Sequence, residues 1–502
     1  MTKTKNGAGF PSPDLVRAVL KGHSGLGLAF AAILYLVCLT GAISVFANEF
    51  QRWENPDVER METISADAVQ AAYRTAMDRA GGPVEHVLIV MPSEDRPWPT
   101  LRVDAEDGNQ TTWIADSAGR ITGEIREGWT KFLTRLHINL HLPQSWGIFI
   151  VGLTGVALLS SLISGLLAHP RIFRDAFHLR LGGSRRLQEA DLHNRIGVWA
   201  LPFHLTVSLT GALLGLSTVI IGAIGFAVFN GDTDKVYAIF IAPHPAEDAR
   251  PAPPLDLAPL FAKVAERTSA QASKRIDYLI VEHPMEQGAA AMFEVEDGST
   301  RLASADSYAF DRNGRLYYEH HAADNNVGRQ ILGSLGLLHF GWFGGGVIKI
   351  AYGLLGIGLA YLAAGGVNIW LARRRDKGRP AAGWERAWTA TVWGQPVALA
   401  GAALAALFTS SVAPLIWTWA AVSVAMLGGA VFLPPVALSR IGRAGTGIVL
   451  IVLAVAHPVF MGIGDHMAMI VDGAFGLIGL GLLATVISRI SVLGRTRRLQ
   501  AA

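Results

Sequence analysis

Fifteen histidines stand in the 502 residues of this chain, and nine lie in or at the ends of long apolar stretches. Ionisable groups there are costly and are kept for a purpose. Four fall at repeat-related places. His23 opens the pattern His-x-x-x-Gly with Thr40-Gly41 further on. His193 opens the same pattern with Thr210-Gly211, at the same spacing. His137 and His339 precede the second and fourth apolar stretches, and His141 follows His137 by one helical turn on the same face. A single histidine at a helix end is ordinarily interfacial. Two pairs at opposite depths of a four-helix bundle give the layout that two bis-histidine haems require, because imidazole is a haem ligand and facing helices can each supply one. Glycines near these ends let a broad flat ring approach the backbone.

Other residues carry weaker signals. His204, eleven residues after His193, returns to nearly the same helix face about 16 Å deeper; its repeat counterpart is Leu34. His457, Asp465, His466 and Asp472 gather near one end of the last two apolar stretches and could form a proton or metal site. Trp129, Trp146 and Trp342 suit an interfacial belt. One cysteine, Cys38, excludes a disulfide framework, a C-x-x-C-H haem attachment and thiolate zinc or iron–sulfur sites. No G-x-G-x-x-G follows a strand and no P-loop is present, so an electron donor must be a separate molecule. No catalytic residue is identifiable.

The elements that must position these residues follow from composition. The chain is 51% hydrophobic and 17% charged, with mean hydropathy +0.34; soluble proteins carry about 25% charged residues. A spanning helix needs about 20 apolar residues. Eight stretches qualify: 25–47, 145–168, 196–229, 345–371, 393–411, 415–437, 445–463 and 467–490. The first is too long for a signal-peptide core and reads as an anchor. Arg171, Arg174, Arg180, Arg185, Arg186 and Arg195, then Arg373, Arg374, Arg375, Lys377 and Arg379, then Arg440 and Arg443, and finally Arg495, Arg497 and Arg498 all fall on the side of the N-terminus. By the positive-inside rule both termini are cytoplasmic. The pI near 9.0 is therefore topology and carries no nucleic-acid footprint.

The chain repeats itself. Gly152-Leu153-Thr154-Gly155 with Ser164-Gly165 matches Gly353-Leu354-Leu355-Gly356 with Gly365-Gly366, and Asp116-x-x-Gly119-Arg120 matches Asp311-x-x-Gly314-Arg315. The unit is helix, polar segment, helix, used twice in the same direction. The expected fold is an α-helical polytopic membrane protein of about eight spans, with two small α+β exterior domains. Its parts are 1–47 (tail and first span), 48–135 (first exterior domain), 136–230 (two spans and their connection), 231–330 (second exterior domain), 331–375 (fourth span) and 376–502 (four further spans). Helices are predicted at 66–80 and 256–270, strands at 85–91, 100–104, 278–281 and 292–295, and a hairpin turn at each D-x-x-G-R.

The order of these parts over about 15–375 resembles the PepSY-associated transmembrane family. The resemblance rests on His23…Thr40-Gly41, the exterior D-x-x-G-R domain, Leu136-His137 and Leu338-His339-x-Gly341. It implies an inner-membrane protein with two PepSY-like periplasmic domains and two b-type haems within four helices. His23 and His193 would hold the cytoplasmic haem iron; His137 (or His141) and His339 would hold the periplasmic one. It also implies reduction of ferric siderophore, with quinol or a cytoplasmic reductase as donor. Two alternatives are a non-enzymatic protein whose exterior domains bind a protease or envelope partner, and a transporter component for iron or siderophore. The four C-terminal spans depart from the minimal family form.

Overall fold

The structure is a computed structural model that describes residues 13–168, 185–238, 243, 248–269, 274–296 and 302–500, the side chains of 13, 185 and 489–500 excepted. His169, His178, His244, Arg171, Arg174, Arg180, Arg185 and the C-terminal arginines thus lie outside the described side chains. The first repeat comprises α1 (Pro13–Ala29), α2 (Ala31–Ser44), α3 (Ala47–Glu54), α4 (Ala66–Ala80), β1 (Val84–Val90), β2 (Thr100–Ala105), β3 (Gln110–Ala115), β4 (Ile121–Glu124), α5 (Gly128–Asn139) and α6 (Gln144–Ala168). The second comprises α7 (Arg185–Trp199), α8 (Leu201–Gly215), α9 (Ser217–Val228), α10 (Asp234–Tyr237), α11 (Ala258–Thr268), β5 (Arg275–Glu282), β6 (Ala290–Glu296), β7 (Ala305–Asp311), β8 (Leu316–His320), α12 (Val327–Phe340) and α13 (Gly345–Asp376). Four helices follow: α14 (Ala382–Ala406), α15 (Val412–Phe432), α16 (Pro435–Met461) and α17 (His466–Gln500).

Among the described residues five helices are long and apolar enough to cross a membrane, and up to seven spans result if each bent pair counts as one. The bent pairs are α1 with α2, at 69°, and α7 with α8, at 72°. Straight first and third spans are therefore not what forms. Pro202 in the first turn of α8 cannot continue a preceding helix, and the glycine-rich end of α1 is similarly weak. Each bend lets one span serve two neighbours. α1 packs on α6 and α2 on α13, while α7 packs on α13 and α8 on α6. The remaining stretch, α14, falls short of the apolarity of a span. It lies between α15 and α16, where Trp419 Nε1 donates to Gln395 Oε1 (2.8 Å) and Gln395 Nε2 donates to Ser423 Oγ (3.2 Å). Burial among helices thus satisfies the polar residue that lowers its hydropathy.

Small residues set the close crossings. A methyl group at Gly356 would stand 2.8 Å from Ala42 Cβ, and one at Gly155 would stand 3.0 Å from the Ala212 nitrogen. Both pairs are equivalent in the repeat, as expected where backbones of membrane helices meet.

The polar segments form one body. All eight strands make a single sheet in the order β4-β3-β2-β1-β5-β6-β7-β8. The two α+β units predicted separately are joined by antiparallel pairing of β1 with β5, including Val87 with Val281 and Ile89 with Leu279. These two strands are repeat-equivalent, so a local two-fold relates the halves. Left alone, each half would expose a Val/Ile-rich edge strand, and pairing removes both edges. α4 and α11 cover one face over a core that includes Tyr73, Phe293, Tyr308 and Phe310; a fully buried side chain of this size contributes about 2–3 kcal/mol. Ser65 caps α4 by accepting from the Ala68 nitrogen, and Gly81 ends it at φ 65°. Each D-x-x-G-R is a tight turn, with Gly119 at φ 78° and Gly314 at φ 71°. Asp116 Oδ1 accepts from the Ala118 and Arg120 nitrogens, and Asp311 Oδ1 from those of Asn313 and Arg315.

Candidate functional site

His137 and His339 are not in the spans themselves. They sit near the ends of α5 and α12, short helices that precede α6 and α13. α5 is anchored by buried Glu54, which accepts from the Trp129 nitrogen (2.7 Å), the Thr130 nitrogen (3.0 Å) and Thr130 Oγ1 (2.6 Å). Burial pushes this carboxyl up to about 7. Trp129 is itself buried, against Phe50 and Phe132, so it is a core residue and not part of a belt. α12 is capped by Asn326, whose side chain accepts from the Arg329 nitrogen. It ends at Gly341 with φ 74°, where a side chain would strike the Tyr352 ring. The Tyr352 hydroxyl donates to the Leu338 carbonyl (2.8 Å).

These two helices bring His137 and His339 together, with ring centres 6.1 Å apart and planes 23° from parallel. Their surroundings repeat. A methyl group at Gly41 would lie 2.6 Å from His137 Cε1, and one at Gly211 would lie 2.8 Å from His339 Cε1. His137 Nδ1 donates to the Val37 carbonyl (2.9 Å). Thr210 Oγ1 donates to the Thr206 carbonyl (2.7 Å) and so accepts from His339 Nδ1 (3.0 Å). Engaging Nδ1 leaves the Nε2 lone pair available, the arrangement found at metal-ligating histidines. Both imidazoles line a cavity of about 400 Å³ whose other walls include Val37, Cys38, Leu158, Val207, Leu359 and Trp342.

The donor set fits a haem. The spacing of the two rings would let His137 and His339 hold one haem iron between them through Nε2, and the haem would supply one-electron chemistry there. Neutral nitrogen donors in an apolar chamber also match haem better than a hydrated cation. Among the described residues no group of three or more His, Cys, Asp or Glu side chains could hold a metal ion by itself.

The other predicted residues are placed differently. His141 stacks on Phe132 (5.0 Å) at φ 54°, away from the His137–His339 pair. His23 packs against α6, its Nδ1 2.9 Å from the Ser161 carbonyl and 3.2 Å from Ser164 Oγ, beside Gly165. His193 packs on α13 beside Gly365 and Gly366. The two are repeat-equivalent but stand on separate helices. His204 is fully buried in α8, and neither ring nitrogen makes a hydrogen bond of normal geometry among the described residues.

The cluster at 457–472 is a lock and carries no metal group. His457 is fully buried, with Nδ1 2.9 Å from Asp472 Oδ2 and Nε2 2.6 Å from the Trp53 carbonyl. Trp53 stacks on the same ring at 4.4 Å and donates from Nε1 to Asp472 Oδ1 (2.8 Å). Asp465 accepts from Arg52 Nε and NH2 (2.8 and 2.7 Å), while His466 is exposed. Buried Lys349 pairs with Glu49 (2.8 Å) and Asp95 (2.9 Å). Sequence reading missed these partners because duplication gives no signal for them: the repeat-equivalent positions hold Ala223 for Trp53, Gly222 for Arg52, Val219 for Glu49 and Ile148 for Lys349.

Comparison with known proteins agrees with this architecture. A protein of Pseudomonas aeruginosa, the uncharacterized protein PA4219, is 29% identical over 252 residues, which are 48% of this chain and 63% of that protein. The chain thus spans less than two thirds of that relative's length. The profile described as PepSY-associated TM region matches residues 20–373, both repeats from the first bent pair to the end of α13. The chain is therefore a membrane protein of the PepSY-associated TM family.

Proposed function

We propose that this protein is a di-haem b electron carrier of the bacterial inner membrane that reduces the ferric iron of siderophores on the periplasmic side. Electrons come from quinol or a cytoplasmic reductase. In this reading the chain crosses eight times with both termini cytoplasmic, and the two halves of the sheet are PepSY-like periplasmic domains. His137 and His339 hold the haem nearer the sheet, and His23 and His193 hold the other.

The paired imidazoles of His137 and His339, 6.1 Å apart over an apolar cavity, carry the proposal. Bound haem supplies one-electron chemistry that no side chain here provides. The chain supplies geometry. The Val37 carbonyl and the Thr210 hydroxyl fix the two rings through Nδ1. Gly41 and Gly211 let the imidazoles approach the spans. The apolar walls exclude water, which favours the apolar face of a porphyrin over a hydrated ion. Reduction of iron held by hard oxygen ligands weakens its chelation, so delivery of an electron at the sheet side would release it.

Purified protein is expected to be coloured and to show a bis-histidine b-type spectrum that shifts with dithionite. His137→Ala and His339→Ala should each lose the same single haem equivalent, while His141→Ala keeps both. Colourless protein after expression with ample haem, or loss of different haems in the two variants, overturns the proposal.

A further inference from the structure

A second cavity, of about 960 Å³, lies beneath the β5–β8 half of the sheet. Its floor is apolar, from Ile220 and Ile224 of α9 and Leu332 and Leu335 of α12. Its roof is one row of cross-strand neighbours, Tyr278, Glu294, Ser307 and His320, on four successive strands. Met292 and Tyr318 flank the row.

The repeat shows how the same sheet packs where no cavity is kept. By strand register and the shared D-x-x-G-R turn, the corresponding row of the first half is Leu88, Arg102, Thr112 and Ile125. There Ile125 packs with Ile114 and Trp98 into a closed apolar cluster. In the second half Ile114 is replaced by Ala309, Ile125 by His320 and Arg102 by Glu294. Where Ile114, Ile125 and Trp98 fill the first half, smaller and polar residues line a hollow in the second, and a guanidinium has become a carboxylate.

The charges in this roof are unequally matched. Asp277 pairs with Arg96 (3.4 Å), Glu296 with Arg275 (3.1 Å), and Arg329 lies 3.1 Å from His320 Nδ1. Among the described residues Glu294 has no ion-pair partner and accepts one hydrogen bond, from Ser307 Oγ (2.6 Å). A largely buried carboxylate without a cation is costly. Bordered by tyrosines and a methionine, it has the composition of a site for an organic cation.

We propose that this chamber binds an ammonium group carried on an apolar body, the ammonium against Glu294 beside Tyr278 and the body on α9 and α12. The inference does not rest on the haem assignment. Two sources share this chemistry: a soluble amine, or a lipid with an ammonium headgroup.

The test is calorimetric titration of the purified full-length protein in micelles near neutral pH with phenylbutylamine and with its uncharged N-acetyl derivative. The amine should bind roughly tenfold tighter or better, a difference of about 1.4 kcal/mol. Glu294→Gln should abolish that preference without lowering the melting temperature. Ala305→Trp, at an exposed rim position, should block both compounds without changing charge. Repeating the titration in nanodiscs separates the sources. Weaker amine binding in phosphatidylethanolamine than in phosphatidylglycerol identifies a lipid headgroup, and equal binding identifies a soluble amine. Equal affinity for the two compounds, no binding of either, or a preference that survives Glu294→Gln overturns the proposal.

Discussion

Glu294 and the two paired histidines show how single positions are set by what their neighbours leave unsatisfied. Burial pushes the Glu294 carboxyl up to about 7 from an ordinary 4.5. The native state therefore binds this proton more tightly than the unfolded chain. The stability this group contributes is full below about pH 4.5 and is lost as pH rises through about 7. Glu294→Gln keeps an acceptor for Ser307 and removes the charge. It should raise stability by up to ~3 kcal/mol at pH 8 and change little at pH 4, measured by thermal melting across pH. Thr210→Val removes the hydroxyl that accepts from His339 Nδ1 while preserving shape. On the proposed haem assignment it should shift the midpoint potential of the haem held there and leave haem content near wild type, read by redox titration; an unmoved potential would show that this hydroxyl does not tune the ring.

Bent spans and glycine crossings operate at the level of elements. Each bend divides a span into a part on one neighbour and a part on the other, so the four helices of the repeats interlock. The crossings tolerate almost no added volume. Gly356→Val would press on Ala42, where even a methyl group has 2.8 Å, and should destabilise by about 1–3 kcal/mol. Gly358→Val is a control on the same helix with a looser neighbour, Ile196 at 3.4 Å. Thermal melts of both in detergent check the difference, and equal losses would argue against close packing as the cause.

Across the whole molecule, the C-terminal helices are tied to the first repeat by the Trp53–His457–Asp472 cluster and by Arg52–Asp465. Asp472→Ala leaves His457 and Trp53 Nε1 buried without their acceptor. A loss of about 3–5 kcal/mol is expected, as for a broken buried pair. Trp53→Phe with Asp472→Ala should cost less than the sum of the single changes, because both remove the same contact. Additive losses in a double-mutant cycle would show that the cluster is not one unit. The two cavities meet at Leu214, which lines both, so a ligand in the outer chamber lies beside the wall of the histidine chamber.

Much of the fold was legible in the residues. The helix at 66–80 forms with those bounds, the strands lie close to their expected places, and both D-x-x-G-R turns close as hairpins, because capping, alternation and positive-φ glycine act over a few neighbours. Duplication, read from spacing alone, singled out His23, His193, His137 and His339. Tertiary structure decided what spacing cannot encode. It made one sheet from two halves, since edge pairing depends on which strands are left exposed. It bent the first and third spans, since each half packs on a different neighbour and no local rule says which neighbours those are. It turned His141 away from the cavity and made the 457–472 cluster a lock, since a side chain's partners are fixed by contacts between segments hundreds of residues apart.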